Sequence, residues 1–138
     1  MNSGKTVLHE LCHILGVNHM QARYDRDQYI IVHFDKIRKG NQYNFKKDKG
    51  GYGKLSRVGL PYDYNSVMHY SSRSFGIEPR DITMTLKKKF SGKIGFTQRL
   101  SRTDVATLNR LYGCKDHYLG DDIAGGITYK EWYQTYFP

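Results

Sequence analysis

The string HELCHILGVNH, residues 9 to 19, constrains this chain more than any other stretch. It continues a segment in which Ser3 is a candidate N-cap and Val7, Leu8, Leu11, Cys12, Ile14 and Leu15 give a broad apolar surface. Residues 3 to 16 are therefore expected to form a helix, and a helix apolar on most sides is expected to be buried. Burying His9, Glu10 and His13 in such a setting is costly unless each finds a partner. His9 and His13 stand four positions apart, on one helical face, where both can bind a single metal ion. Glu10 points to the side, placed to reach a water at the ion rather than the ion itself. Gly16 can take a positive φ and end the helix, so the chain can turn back and bring His19 to the metal. Three neutral imidazoles leave a tetrahedral zinc one open position for water. Zinc lowers the pKa of that water toward neutrality, and Glu10 would take its proton and later pass it to a leaving amine.

A second stretch, YDYNSVMHYSSRSF at residues 62 to 75, bears on the same chemistry. Met68 lies 49 residues after His19, with Ser66, His69 and Tyr70 beside it. Met68 is expected to form an apolar floor beneath the metal. The Tyr70 hydroxyl can contact the metal or the negative charge that develops as water attacks. Its other reading is a packing residue with a surface hydroxyl. The extended histidine string followed by a methionine turn is the metzincin signature.

Several ordered motifs resemble one metzincin family, the astacins. HELCHILGVNHMQARYDRD is similar to that family's zinc helix and its continuation, here with Arg23, Asp25, Arg26 and Asp27. YIIVHFDKIRKGNQYNF resembles the segment that follows, PYDYNSVMHYSSRSF the methionine turn, and LSRTDVATLNRLYGC the C-terminal helix ending in cysteine. The likeness covers about residues 4 to 114, so residues 1–114 are read as a partial astacin-like peptidase domain and 115–138 as a tail outside it. The resemblance implies a secreted zinc endopeptidase that cleaves an extended protein or peptide substrate. It implies zinc ligands at His9, His13 and His19, a general base at Glu10, and Tyr70 as the mobile tyrosine beside the metal.

The likeness is to the C-terminal half of the family's catalytic domain. The N-terminal subdomain, with most of the sheet and the edge strand that pairs with substrate, is expected to be absent. Strand addition orients a peptide through main-chain hydrogen bonds, and positioning can be worth several kcal/mol of barrier. Met20 stands where the family usually has a glutamate that holds the mature N-terminus. Cys114 stands where the family's last domain cysteine stands, with its usual partner in the other half. Cys12 is read as a buried small hydrophobe rather than a fourth ligand or a bridge to Cys114. The family's Gln-Arg pair, whose arginine favours an acidic residue after the cleaved bond, falls on Phe96 and Thr97, and Arg99 is two positions further on. Substrate preference is therefore open.

Elsewhere the signals are structural. QYIIVHF, residues 28 to 34, is rich in β-branched and aromatic side chains and reads as a short strand, with His33 a packing or surface residue. KKDKGGYGK reads as a flexible basic loop. Ser101 and Asp104 form a capping box ahead of a stripe of Val105, Leu108, Leu111 and Tyr112, with Gly113 as the stop. Gly120 to Glu131 has a faint EF-hand register, but Gly120 and Ala124 replace two oxygen ligands, so a turn followed by a short aromatic helix is expected.

The net charge is +9, with lysines clustered at 46–47 and 87–89. This basic surface is either a solvated face or a contact for polyanions. Nucleic-acid binding is not expected, since no recognised module accompanies the charge. No apolar run approaches the ~20 residues of a membrane span, and no signal peptide is visible. The fold expected is α+β with little sheet: a zinc helix, a methionine turn and a C-terminal helix. The function expected is zinc-dependent endopeptidase activity on extracellular proteins. The alternative is a truncated, catalytically weak zinc-binding relative that serves as a basic extracellular binding module.

Overall fold

The computed structural model describes residues 3–48 and 58–138, with the side chain of Ser3 excepted. The N-cap expected at Ser3 and most of the glycine-rich basic loop lie outside the described residues. Helix α1 spans Ser3–Ile14. It ends where Gly16, at φ 85°, reverses the chain. The Gly16 N–H donates to the His13 carbonyl and the Val17 N–H to the Cys12 carbonyl, both at 2.9 Å. This is a Schellman closure, which glycine at positive φ permits without steric cost.

Short 3-10 turns at Met20–Ala22 and Arg26–Gln28 lead into strand β1, Ile30–Val32. The strand is shorter than the residues 28–34 that the sequence favours. Gln28 closes the turn before it, and Phe34 opens another at Phe34–Lys36. β1 pairs antiparallel with β2, Met84–Leu86, in the register Ile30–Leu86, Ile31–Thr85 and Val32–Met84. This two-stranded ribbon is the sheet of the described residues. Met20, Ile30, Ile37, Phe45, Tyr62, Met84 and Ile94 form the core around it.

Helix α2, Arg102–Leu111, starts on the expected capping box. Ser101 Oγ accepts from the Asp104 N–H at 2.9 Å and Asp104 Oδ2 from the Ser101 N–H at 3.0 Å. Helix α3, Tyr129–Tyr136, follows the turn of the tail and has its own box between Thr128 and Glu131. Tyr129 and Trp132 of α3 pack with Val58, Leu60 and Ala106. Arg110, fully buried, donates to the carbonyls of Val58, Leu119 and Ile127 and to Asp121. The tail is therefore part of the fold. Three of its carboxylates are committed to protein donors: Asp121 also accepts from the Tyr129 N–H, Asp122 from Tyr118 and Arg102, and Glu131 from Thr128.

One expectation is corrected. α1 is not buried on most sides: among its described residues Cys12 alone is buried. Val7, Leu11 and Ile14 are 56%, 47% and 79% exposed. Only the face carrying Cys12 meets a core, formed with Val17, Val67 and Met68. Burial of a helix depends on what packs against it, and apolar composition cannot supply that.

The lysine clusters are partly engaged. Lys47 pairs with Asp27 at 2.6 Å, Lys87 donates to the Asp27 carbonyl at 2.6 Å, and Lys88 lies over the Tyr29 ring at 4.2 Å. Among the described residues no helix is long and apolar enough to cross a membrane.

Candidate metal centre

α1 presents His9 and His13 on one face, and the Schellman turn returns the chain so that His19 faces both. His9 Nδ1 donates to the Val67 carbonyl and His13 Nδ1 to the Val17 carbonyl, both at 2.9 Å. A carbonyl can only accept, so each Nδ1 carries the hydrogen and each Nε2 keeps its lone pair. Those Nε2 atoms lie 3.0 Å and 3.1 Å from His19 Nε2. His9, His13 and His19 are the group of potential metal ligands that converges among the described residues, with all ligand atoms within 4.8 Å of one another.

This donor set fits a metal ion. Nitrogens held about 2.0–2.1 Å from a tetrahedral ion stand roughly 3.3 Å apart, close to the spacing seen. Three imidazoles suit zinc and other borderline ions better than calcium or magnesium. Burial, and then the neighbouring His13, His9 and His69, push His19 down to about 3, so its imidazole is neutral at physiological pH. A ligand must be deprotonated to bind a metal, and this ring meets that condition. Carbonyl partners on Nδ1 also fix the tautomer and orientation of the first two rings.

The methionine turn supports this arrangement through the Val67 carbonyl that holds His9. Met68 is fully buried against Cys12, Val17 and Val67, and its carbonyl accepts from the Met20 N–H at 3.0 Å. Asp104 of α2 anchors the turn. Its carboxylate accepts from Ser66 Oγ at 2.6 Å and from the Val67 N–H at 2.9 Å. Val67 is the residue that orients His9, so α2 reaches the centre through two contacts. Burial pushes the Asp104 carboxyl above its usual range.

Tyr70 is half-buried with its ring centroid 4.4 Å from that of His19. Phe45 meets the ring edge-to-face at 5.7 Å and Phe75 lies tilted to it at 5.4 Å. Burial raises the phenol above its ordinary value, so it stays protonated and can donate a hydrogen bond. Glu10 is exposed on α1, next to His9 and three residues before His13. His33 stands apart, with Nε2 2.7 Å from Thr85 Oγ1. Cys12 and Cys114 are both free thiols, Cys12 buried.

Sequence reasoning missed Gln21, Tyr62 and His69, and saw Asp104 only as a cap. Gln21 meets Tyr70 across 49 residues, where no local periodicity marks the pair, while the Tyr62–His69 hydrogen bond is a side-chain contact within one loop that the sequence does not announce. Asp104 reaches back 38 residues to Ser66, and its sequence signal was exhausted by the capping box.

A histidine pair on a helix, a third histidine beyond a glycine turn and a buried methionine turn beneath define the metzincin class of scaffold. The profile of the peptidase family described as Astacin matches residues 2–113, and the chain belongs to that family. Zinc metalloproteinase nas-30 of Caenorhabditis elegans is 44% identical over 107 residues, which is 77% of this chain and 14% of that protein. Protein SpAN of Strongylocentrotus purpuratus is 35% identical over 111 residues, 80% of this chain and 18% of that protein. High choriolytic enzyme 1 of Oryzias latipes, described as a hatching enzyme zinc-protease, superposes with a TM-score of 0.72 at 34% identity. That match covers 80% of this chain and 52% of the solved one. The chain thus spans less than a fifth of the first two relatives and about half of the third.

Proposed function

We propose that this chain carries the zinc centre of an astacin-type endopeptidase that hydrolyses peptide bonds of extracellular proteins. His9, His13 and His19 would hold the ion through Nε2. Bound zinc supplies a Lewis acid that polarises the scissile carbonyl and a water that is nucleophilic near neutral pH. Glu10 accepts the proton of the attacking water and delivers it to the departing amine. Tyr70 donates its phenolic hydrogen to the carbonyl oxygen as negative charge builds there. The apolar floor of Met68 and Val67 keeps water from beneath the centre.

One observation carries this reading: three imidazole nitrogens converge at 3.0–3.1 Å while Nδ1 of His9 and His13 is tied to carbonyls. The test measures zinc content, then cleavage of a denatured protein with and without a chelator, beside Glu10→Ala. One zinc equivalent, with cleavage abolished by the chelator and by the substitution, is the expected result. One zinc equivalent with cleavage no faster than Glu10→Ala overturns the peptidase and favours a zinc-holding basic module. In that case retention on immobilised heparin should weaken as salt rises.

A further inference from the structure

Tyr70 is held at both ends of its backbone. Its N–H donates to Gln21 Oε1 at 3.2 Å, and its carbonyl accepts from His69 Nδ1 at 2.8 Å. Gln21 is fully buried in the turn that follows His19. Its Nε2 is buried without a partner among the described residues, a cost that a residue kept for packing alone would not carry.

His69 is 2% exposed, and its donor role is dictated by its surroundings. Nδ1 faces a carbonyl and must carry the hydrogen, so Nε2 must accept, and it does so from the Tyr62 hydroxyl at 2.7 Å. Tyr62 in turn is buried and stacked on Tyr29, with centroids 4.6 Å apart and planes 9° from parallel. Tyr29 immediately precedes β1. A continuous path therefore runs from the sheet through Tyr29, Tyr62 and His69 to the Tyr70 carbonyl. A second path runs from the His19 turn through Gln21 to the Tyr70 N–H.

We propose that Gln21, His69 and Tyr62 are positioning residues that fix the Tyr70 peptide, leaving its phenol only side-chain rotation over His19. This rests on the role given to Tyr70 above. With the peptide fixed, the hydroxyl meets the reacting carbonyl without a backbone search. Losing the Tyr62 hydroxyl frees His69 to change tautomer and turn its lone pair on the Tyr70 carbonyl, which loosens that peptide.

The full chain loaded with zinc tests this by a double-mutant cycle, reading kcat and KM for one peptide. Tyr62→Phe should lower kcat about tenfold with KM and zinc content unchanged, since small misplacements of a reacting group have effects of this order. In a Tyr70→Phe background it should do nothing more. His69→Ala should act like Tyr62→Phe, and His69→Asn, which keeps a donor near the Nδ1 position, should restore most of the rate. An equal loss in both backgrounds overturns the clamp while leaving Tyr70 its role. Unchanged kcat in Tyr70→Phe alone overturns that role and the clamp's purpose together. A readout without turnover uses 3-fluorotyrosine placed at position 70. Its fluorine resonance should be a single line that broadens or splits in Tyr62→Phe, and a line that the substitution leaves unchanged overturns the clamp even if the chain cleaves nothing.

Discussion

Helices α1 and α2 invert the relation between composition and burial. α1 is the more apolar, yet Val7, Leu11 and Ile14 face solvent. α2 is the more polar, yet Thr103, Asp104, Thr107 and Arg110 are buried along with Ala106. The difference lies in partners. Each charged group buried in α2 is matched, Asp104 by three donors and Arg110 by three carbonyls and a carboxylate. α1 is held along the stripe of Cys12 and by the ring hydrogen bonds of His9 and His13. One helix organises the fold, and the other displays the proposed ligands.

The hardest test of that division is Arg110→Met. It leaves three carbonyls without their donor, and breaking a buried charged network of this kind costs about 4 kcal/mol. Urea unfolding reads the loss directly, and a cost below about 1 kcal/mol would end the contrast. Asp104→Ala comes next, at about 3 kcal/mol, because Ser66, Val67 and Ser101 lose a buried acceptor at once. It should also lower zinc affinity, measured by competition with a chromogenic chelator, since the Val67 carbonyl orients His9.

Acid sharpens the comparison from the side of the centre. Burial pushes His69 down to about 4. Its value in the unfolded chain is near 6.5, so between these values the unfolded state binds a proton that the folded state does not. This contribution to stability is complete above about pH 6.5 and is lost as pH falls toward 4, by up to about 3 kcal/mol. Thermal melts of the metal-free protein at pH 7.5, 5.5 and 4.5 should show the decline, with a shallower slope in His69→Asn. The smallest effect is expected at Ile14→Lys, within about 0.5 kcal/mol, as for most exposed positions. A larger loss would mean that the exposed face of α1 already has a partner in solution, and sedimentation would identify self-association.

What was legible in the sequence was local. The period of α1, the glycine that ends it, the side on which His9 and His13 stand and the capping box of α2 all follow from residues within one or two turns. The helix of the tail was legible for the same reason. What was not legible is contact between distant segments. Nothing near Asp104 announces Ser66, and nothing near Gln21 announces Tyr70. The exposure of α1 escapes the sequence because a run of leucine and isoleucine specifies a preference for burial without specifying a covering surface. β1 is shorter than its composition suggests because Gln28 and Phe34, which read as strand ends, belong to 3-10 turns set by the residues beyond them.

Cys12 sits on α1 between His9 and His13, with its side chain packed against Val17, Val67 and Met68. Burial, and secondarily Asp104, raise its thiol to about 11. Thiolate is the form that captures soft ions and reacts with peroxide or disulfides, and at neutral pH this side chain offers almost none of it. Cys12 therefore fills space as a small hydrophobe, and its sulfur stays out of redox chemistry for as long as the packing around it holds.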